Sequence, residues 1–485
     1  MDGTGSSRRG FLGMAATGAA SGWALGGMDA AQAEEPGSPP LVSAPDTFLD
    51  TVNGLPNFCT HEHWGSITPI GMGDGGFRAD TEPGAVPVGP VGVWDLFLDP
   101  YGGGWLGANG VDPHGLAVKA GHKDFAAWWA EAPEAALDAM RPHLARHRLT
   151  GVFQCTALGV RSLHGAEVAS LALSDWQEAD TQIRQAYADM FAWYREAMGR
   201  MHVSGLIRPV HPGFYLHGQD TPAAKAELAF TRTILRVDPL LNMWQDKSPQ
   251  RDALAKDVGV DPVDAASWRD FIVKIMALAA DNGTTGIKQL QAYGRSLDFA
   301  PRSDSEVRFR GDLDDGERRA FEDWVMHECC KHAHVRRWPF QCHVGTNNLS
   351  QSSPLPLEAL ARQYPGMSLV LLHCWPFVSE SAHLAKQLPN VHLDPCWQPI
   401  LNPEFLRRSL REWLGYVPSN KIMLSHDATS IEMAAGSSVI MRSLLAETLW
   451  EQSRSLGLGE DDLAVLAAEL LHNNAVRLYG TGGTV

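Results

Sequence analysis

Short apolar runs alternate with longer amphipathic stretches along most of this chain. After a first run at 55–59, the apolar runs lie at 205–210, 233–237, 285–290, 339–343, 368–373, 391–394 and 421–426. The amphipathic stretches between the later runs lie at 265–280, 317–337, 355–363, 380–388 and 403–414. Such runs are typical of buried parallel strands, and the stretches between them have the period of helices. Eight strands that alternate with helices predict a (β/α)8 TIM barrel of the α/β class. A doubly wound sheet with two domains is the alternative, but no Gly-rich phosphate fingerprint supports it.

The segment at 65–121, after the first strand, is rich in Gly and Pro and contains scattered aromatic residues such as Trp94, Tyr101 and Trp105. So long a connection is either a disordered insert or a lid over the site, and its aromatic content favours the lid. Helical periodicity follows at 123–148 and 175–202, and two closing helices are predicted at 438–453 and 460–479. The sequence therefore predicts a barrel with a long lid-like insertion after strand 1.

The N-terminus has the features of an export signal. The run SRRGFL at 7–12 resembles the twin-arginine motif, and a Gly/Ala-rich stretch at 14–27 and the small-residue pattern AQA at 31–33 follow it. The apolar part is too short and too rich in glycine for a membrane span. We therefore predict a signal peptide at 1–33, a proline-rich linker at 34–47 and the barrel at 48–485. The expected destination is the periplasm or the medium, by the twin-arginine route.

The charge of the chain narrows the range of partners. A net charge of −16 and a pI of about 5.6 argue against nucleic acid, because phosphate binding requires a basic face. The content of 44% hydrophobic and 20% charged residues is ordinary for a globular protein. The expected partner is a small-molecule substrate, with no membrane span, and a homo-oligomer is left open.

Residue types that bind metals recur at the ends of the predicted strands. His61 and His63 follow the first strand two positions apart, so in an extended backbone both imidazoles point to the same side. The ends of later strands supply four more polar side chains: Lys288, His343, His373 and Asp427. The chemistry of such barrels lies at the C-terminal ends of the strands. The pattern therefore predicts one site with histidine and carboxylate ligands for a divalent metal.

This arrangement resembles the amidohydrolase superfamily of metal-dependent hydrolases, over nearly the whole chain after the signal. SHDA at 425–428 is similar to the family's strand-eight Ser-Asp signature, with a histidine inserted, and NNAVRLYG at 473–480 is similar to its Asn-Ala-x-x-x-Tyr-Gly ending. GIK at 286–288 with AYGRSLD at 292–298 is similar to a more particular subgroup. That subgroup contains the amidohydrolase-like part fused to glutamine synthetase in some plants and fungi, and is related to uronate isomerases.

The resemblance implies roles for the strand-end residues. His61, His63 and Asp427 would bind one divalent metal, with zinc the expected ion, and His343 would be a further ligand. His373 would be either a ligand of a second metal or a catalytic residue. Whether the site holds one metal or two is open at this stage.

Lys288 has two implied roles. In two-metal members a lysine on strand four is carboxylated and bridges the metals, whereas a plain lysine could hold a substrate carboxylate. Tyr293, Arg295 and, from strand three, Arg236 are predicted to grip such a carboxylate, although Arg236 is alternatively a buried ion-pair partner. Trp64 is predicted to wall the site.

We therefore expect a metal-dependent hydrolase of an amide, lactone or related C–N or C–O bond. Asp427 would act as general base and hand the proton to the leaving group, and His373 would stabilise the oxyanion. One alternative is a single-metal enzyme of uronate-isomerase or decarboxylase type, in which Lys288 and Arg295 bind the substrate carboxylate. Another is an exported binding protein without catalysis, against which the complete set of ligands argues.

Overall fold

The computed structural model of the protein describes residues 43–64, 91–216, 220 and 222–480. The predicted signal peptide, most of the linker and the 65–90 part of the insertion lie outside these residues. Within the predicted linker, a helix begins at Asp46 and runs to Gly54. Among the described residues, no helix is both long enough and apolar enough to cross a membrane.

Seven parallel strands form one sheet in the order in which they occur along the chain. They are β1 Asn57–Cys59, β2 Val203–Val210, β3 Thr231–Arg236, β4 Ile287–Gln289, β5 Pro339–Val344, β6 Ser368–His373 and β7 Val391–Asp394. Each strand pairs in register with the next, for example Cys342 with Leu371 across β5 and β6. Since every strand is parallel and follows the previous one, all C-terminal ends lie at the same edge. The fold is a curled parallel half-barrel of the α/β class.

The predicted eighth strand at 421–426 is not formed as a strand. A single bridge joins Ile422 to Leu393 of β7, and the Met423 amide donates to the Leu393 carbonyl at 2.9 Å. The next backbone groups find partners outside a ladder: the Leu424 amide donates to the Leu470 carbonyl at 3.0 Å, and the Leu424 carbonyl accepts from Asn57 Nδ2 at 3.0 Å. Because these groups are satisfied by the C-terminal segment and by a side chain, no regular pairing with β1 develops.

Helices make up most of the described chain outside the strands. Before β2 they are Val93–Phe97, Pro100–Ala108, Pro113–Lys119, Phe125–Glu131, Pro133–His147, Gly151–His164, Leu173–Ala186 and Met190–Arg200. After β2 they are Pro222–Leu228, Asp238–Leu241, Pro249–Val258, Ala265–Asp281, Asp315–Arg336, Leu357–Gln363, Val378–Gln387, Gln398–Leu401, Pro403–Leu414, Ile431–Ser453, Glu460–Ala468 and Asn474–Tyr479. The stretches predicted at 265–280, 317–337, 355–363, 380–388 and 403–414 coincide with helices to within two residues. The first closing helix begins at Ile431 and not at 438, and the second, predicted at 460–479, is divided into Glu460–Ala468 and Asn474–Tyr479. The helices Pro222–Leu228, Asp238–Leu241, Pro249–Val258 and Gln398–Leu401 were not predicted.

The helix Gly151–His164 was not predicted, and it packs closely on Ile431–Ser453. A Cβ at Gly159 would lie 1.7 Å from the Glu432 carbonyl oxygen, and one at Gly436 would lie 1.8 Å from the Cys155 carbonyl oxygen. The absence of side chains at these two positions therefore allows the backbones to touch. Nine of the fourteen residues of the helix Gly151–His164 are buried, from Gly151 to Leu163.

The described part of the insertion, from residue 91, is a helical layer with an aromatic core. Trp94 lies with its ring centroid 4.5 Å from that of Trp176, and Phe97 lies 4.9 Å from the same ring. These helices pack on Leu173–Ala186 and Gly151–His164, as a part of the protein's own core. The lid function of 65–121 stays a prediction.

Candidate metal centre

The site is built where the chain leaves β1 and where it passes the end of the predicted eighth strand. His61 and His63 lie beyond β1, with ring centroids 4.9 Å apart. Two backbone hydrogen bonds tie them to the opposite segment: the Asp427 amide donates to the His61 carbonyl at 3.1 Å, and the His63 amide donates to the Ala428 carbonyl at 3.1 Å. The two segments that supply the predicted ligands are thus held side by side.

The Asp427 carboxylate lies at the centre of the histidines. Its Oδ1 lies 3.1 Å from His63 Nε2 and 3.8 Å from His61 Nε2, and its Oδ2 lies 3.5 Å from His373 Nδ1. Asp427 has a backbone φ of 60° and His373 has a φ of 66°. Both lie in the left-handed region that residues other than glycine rarely adopt. Strained backbone at two adjoining site residues indicates that the surrounding structure fixes their direction.

Burial and mutual contact set the charges of the site. Desolvation lowers the pKa of His61 and His343 well below the usual value, lowers that of His63, and brings the pKa of His373 to about 4. Burial alone would raise the pKa of Asp427, but the imidazoles of His61, His63 and His373 hold it below its ordinary range. At neutral pH the site therefore presents neutral imidazoles around an ionised carboxylate, the forms that bind a metal.

The residues present fit a divalent cation. The donor atoms of His61, His63 and Asp427 lie within 4.8 Å of one another, and all three residues are buried. Asp427 Oδ1 is buried without a hydrogen-bond donor in suitable geometry among the described residues. A buried carboxylate oxygen in that state requires another partner, and a cation beside two imidazole nitrogens supplies one. His373, Cys396 and Asp427 form a second donor group with the same spacing.

His343 and Lys288 lie close to this centre without joining either donor group. The His343 ring centroid is 4.4 Å from that of His373, and its Nε2 lies 3.0 Å from Thr346 Oγ1. Lys288 is buried, and desolvation lowers its pKa to about 8, with Asp238 and Asp427 acting in the opposite direction. The structure thus places all six predicted strand-end residues in one region. Ligation by His343 and the role of Lys288 stay predictions.

His373 has a fixed protonation pattern. Its Nδ1 lies 2.9 Å from the Cys396 carbonyl oxygen, which can only accept a hydrogen bond. Nδ1 of the neutral ring therefore carries the proton, and Nε2 carries a lone pair. This pattern suits a metal ligand or a proton acceptor at Nε2, whereas donation to an oxyanion from Nε2 requires a second proton on the ring.

Arg295 lies in a network of ion pairs beside the β4 loop. Its guanidinium bonds Glu322 at 3.0 Å and Asp323 at 2.6 Å, and it also donates to the carbonyls of Ser296 and Asp298. These bonds join the β4 loop to the helix Asp315–Arg336. The acidic partners are near only in the folded chain, so no local pattern in the sequence indicates them. A role of Arg295 in substrate binding stays a prediction.

Of the other predicted substrate contacts, Arg236 and Trp64 contact other residues of the protein, and Tyr293 lies at the rim of the site. Arg236 pairs with Asp238 at 2.7 Å, and its side chain is 29% exposed, so it is an ion-pair partner that is only partly buried. Trp64 is buried against Tyr194 and Phe230, at centroid distances of 4.9 and 6.5 Å. Tyr293 is 47% exposed with its ring centroid 4.6 Å from that of His343, so it lies at the rim beside a site residue.

Two aromatic residues complete the wall beside the ligands. The Trp397 ring centroid lies 5.5 Å from that of His373. Tyr101, from the insertion, lies 5.0 Å from Trp397, and burial together with the Asp427 charge raises the pKa of its hydroxyl well above the usual value. Sequence reasoning gave Tyr101 no role at the site, because nothing in the pattern of the insertion shows which of its aromatic residues reaches the strand ends.

Gln341 is a further residue of the site that sequence reasoning missed. It lies on β5 two positions before His343, and its Oε1 accepts from His61 Nδ1 at 2.8 Å. The two-residue period of a strand places Gln341 on the same face as His343, and this was the signal that could have found it.

The chain resembles known proteins in sequence and in fold. A family model described as amidohydrolase matches residues 258–481. Protein fluG of Emericella nidulans is 27% identical over 235 residues, which is 44% of this chain and 27% of that protein, so the match spans about a quarter of the relative. The structure of glucuronate isomerase from Caulobacter crescentus matches with a TM-score of 0.68 at 19% identity, over 90% of this chain and 93% of that one. Uronate isomerase from Thermotoga maritima matches with a TM-score of 0.68 at 14% identity, over 89% and 96%.

Proposed function

Because this chain belongs to the amidohydrolase superfamily, we propose that it is a metal-dependent hydrolase of an amide, lactone or related C–N or C–O bond in a small molecule. The observation that supports this most is the position of Asp427, whose two oxygens face different partners. Oδ1 faces His61 and His63, and Oδ2 faces His373. One carboxylate can therefore serve as ligand through one oxygen and as base through the other.

His61, His63 and Asp427 would hold the metal, which we propose to be zinc because two imidazoles and one carboxylate with an open position are typical of catalytic zinc sites. Zinc bound by these residues would supply a water molecule with a pKa of about 7 and would polarise a substrate carbonyl. Asp427 takes up the proton of the attacking water at Oδ2 and delivers it to the leaving group. His373 lies beside Oδ2, with its Nδ1 at 3.5 Å. Tyr293, Tyr101 and Trp397 enclose the substrate and exclude water.

A first experiment tests the reaction class. The purified protein, loaded with zinc, is incubated with N-acyl amino acids, lactones and uronates in water enriched in 18O, and products are weighed by mass spectrometry. Hydrolysis adds the elements of one water molecule and fixes one 18O atom in the new carboxylate. Isomerisation of a uronate adds no water molecule, and the exchange of its carbonyl oxygen with solvent is measured in a sample without enzyme. Asp427→Asn should reduce turnover by roughly 100-fold or more, since both ligand and base are affected. Asp281→Asn, in a helix remote from the strand ends, is the matched control.

A single-metal isomerase or decarboxylase is the second candidate function. Two solved structures of similar fold are uronate isomerases, and a carboxylate substrate would suit the Lys288 ammonium. Arg295, which this candidate would use as a carboxylate grip, is engaged with Glu322 and Asp323. Conversion of a uronate without addition of a water molecule would favour this candidate over the hydrolase.

The two roles of Lys288 predict different metal contents. If a carboxylated Lys288 bridges two metals, the protein purified without chelator binds two equivalents and Lys288→Ala binds one or none. If Lys288 holds a substrate carboxylate, one equivalent remains in both proteins and the KM of the variant rises. Elemental analysis of the two proteins side by side distinguishes these roles. No uptake of zinc by either protein would contradict the proposed enzyme.

We also propose that the protein is exported by the twin-arginine route, on the evidence of SRRGFL at 7–12. Replacement of both arginines, Arg8→Lys with Arg9→Lys, should retain the protein in the cytoplasm with its signal peptide uncleaved. Cell fractionation and N-terminal sequencing measure this. Unchanged export of the double variant would contradict the proposal.

A further inference from the structure

We propose that Gln341 and Tyr479 are positioning residues that fix the tautomer and direction of His61 as a metal ligand. The inference rests on the proposed metal-binding function and goes beyond it, because it assigns a role at the site to the C-terminal helix. The three side chains form a continuous row of hydrogen bonds. His61 Nδ1 lies 2.8 Å from Gln341 Oε1, and Gln341 Nε2 lies 2.8 Å from Tyr479 Oη.

The backbone of β1 determines which way the Gln341 amide faces. Gln341 Nε2 lies 2.7 Å from the Thr60 carbonyl oxygen. A backbone carbonyl can only accept, so the atom that faces it is the NH2 group, and the amide oxygen must face His61. Gln341 is fully buried, so no bulk solvent competes for these positions.

The orientation of the amide in turn determines the protonation of His61. An amide oxygen can only accept, so His61 Nδ1 must carry the ring proton. In the neutral imidazole, Nε2 then carries the lone pair, and Nε2 is the atom that faces Asp427 Oδ1 at 3.8 Å. The carbonyl of Thr60, next to His61 in the chain, thereby selects the ligand nitrogen of His61 through Gln341. Metal-ligating histidines generally need such a partner on the other ring nitrogen.

Tyr479 closes the row from the far end of the chain. It is the last residue of the helix Asn474–Tyr479, and its ring packs in a small core with Phe58 of β1, Ile207 and Val370. Asn474, at the start of that helix, donates to the carbonyls of Ser419 and Ile422, both at 2.8 Å. The helix is therefore anchored to the segment that leads to Asp427, and its Tyr479 hydroxyl accepts the second amide proton of Gln341.

Three variants separate positioning from packing. Gln341→Met keeps the volume of the side chain and removes both ends of the amide. Gln341→Glu keeps an acceptor for His61 Nδ1. It loses the NH2 group that donates hydrogen bonds to the Thr60 carbonyl and the Tyr479 hydroxyl. Tyr479→Phe removes only the hydroxyl. Tyr364→Phe is the matched control, because Tyr364 Oη also contacts a buried histidine, His327 Nδ1, at 2.8 Å and lies on another part of the fold.

Zinc affinity of the full chain is measured by competition with a chromophoric chelator, and the unfolding temperature of the metal-free proteins is recorded in parallel. Loss of such a partner typically weakens metal binding by roughly 10- to 100-fold, which we expect for Gln341→Met. Tyr479→Phe should weaken it by a few fold, and Gln341→Glu should restore affinity to near the wild-type value even where its unfolding temperature falls. Tyr364→Phe should lower only the unfolding temperature.

The tautomer provides a readout independent of metal. In protein labelled with 15N histidine, with His61 assigned by the His61→Asn variant, long-range 1H–15N spectra of the metal-free chain should show a protonated Nδ1 for His61. Gln341→Met should shift that ring towards the other tautomer. Wild-type zinc affinity in Gln341→Met, or a His61 tautomer unchanged by it, would overturn the inference and leave the proposed function intact. Failure of the wild-type protein to bind zinc would instead overturn the function, and the tautomer measurement would still decide the role of Gln341.

Discussion

At the scale of single residues, the buried charges of this protein lie beside specific partners. Asp427 faces three imidazoles, and Glu432 receives bonds from Tyr187 at 2.8 Å and Trp193 at 3.2 Å. Arg295 is enclosed by two carboxylates in the same way. A buried charge without such a partner destabilises the folded protein by several kcal/mol. Removal of one residue of a buried ion pair therefore leaves the other residue's charge uncompensated.

Replacement of Arg295 by Met should therefore destabilise the protein without changing substrate binding. Asp323 is fully buried and would keep its ion pair with Arg302, at 3.0 Å. We expect a loss of about 3–5 kcal/mol in the free energy of unfolding, measured with urea, and an unchanged KM. Arg302→Met is the control and should cost less, because that side chain is 30% exposed. A large rise in KM at full stability would return Arg295 to a role in substrate binding.

His392 on β7 should make stability depend on pH. Burial, with Lys421 and Arg477 nearby, lowers its pKa to about 4, below the value of about 6.5 in an unfolded chain. Between these two values the unfolded chain binds more protons, so the stabilising contribution is full above pH of about 6.5 and is lost as the pH falls towards 4. Urea unfolding at pH 7, 6 and 5 should show a smaller loss for His392→Asn than for the wild type. His383→Asn, at an exposed position, serves as control. If the free energy of unfolding changed equally with pH in all three proteins, His392 would not be the source of the pH dependence.

At the scale of elements, two glycines determine how the helices Gly151–His164 and Ile431–Ser453 meet. Gly159 and Gly436 each lie against a carbonyl oxygen of the other helix. This close approach lets residues of the surrounding helices, among them His164 and Trp193, reach the buried Glu432. The first residues of Ile431–Ser453 follow Asp427 by only a few positions, so this crossing also supports the site.

Gly159→Ala should therefore cost about 1–3 kcal/mol or more, because the added methyl group meets backbone that cannot rotate away. Gly199→Ala is the matched control: Gly199 is an exposed residue of the helix Met190–Arg200, and a Cβ there meets nothing within 4 Å. This control should gain about 0.5–1 kcal/mol, since alanine is the better helix former. Thermal unfolding of the two variants measures the difference. Equal stability of both would contradict the close contact.

At the scale of the whole molecule, side chains and the C-terminal segment hold the predicted eighth segment next to β1. Asn57 is fully buried, and its Nδ2 donates to the Leu424 carbonyl at 3.0 Å and to the Leu471 carbonyl at 2.7 Å. These bonds take the place of a strand ladder on this side. The position of Asp427 opposite His61 thus depends on residues from both ends of the described chain.

Asn57→Leu should consequently reduce both stability and metal affinity. Two buried carbonyls would lose their donor, at about 1–3 kcal/mol each, and the segment that carries Asp427 would loosen. Asn390→Leu is the control, because Asn390 Nδ2 also donates to backbone carbonyls, those of Ala361 and Met367, away from the site. That control should lose stability and keep its zinc affinity. If Asn57→Leu keeps wild-type zinc affinity, the segment is held by other contacts.

The sequence by itself located the seven strands that form and the six residues that meet at the site, although the predicted eighth strand is not formed. β5, β6 and β7 begin and end within a residue of their apolar runs. His61 and His63 meet because a two-residue spacing in an extended chain fixes their common direction. These features follow from local periodicity, since burial selects apolar residues and the backbone repeat sets where each side chain points.

Only the tertiary structure decided the partners of these residues. The Arg295 ion pairs, the contact of Tyr101 with Trp397 and the row from Tyr479 through Gln341 to His61 join residues that are remote in sequence. Contacts between residues remote in sequence depend on which surfaces pack together in the folded chain. A local pattern of residue types does not contain that information.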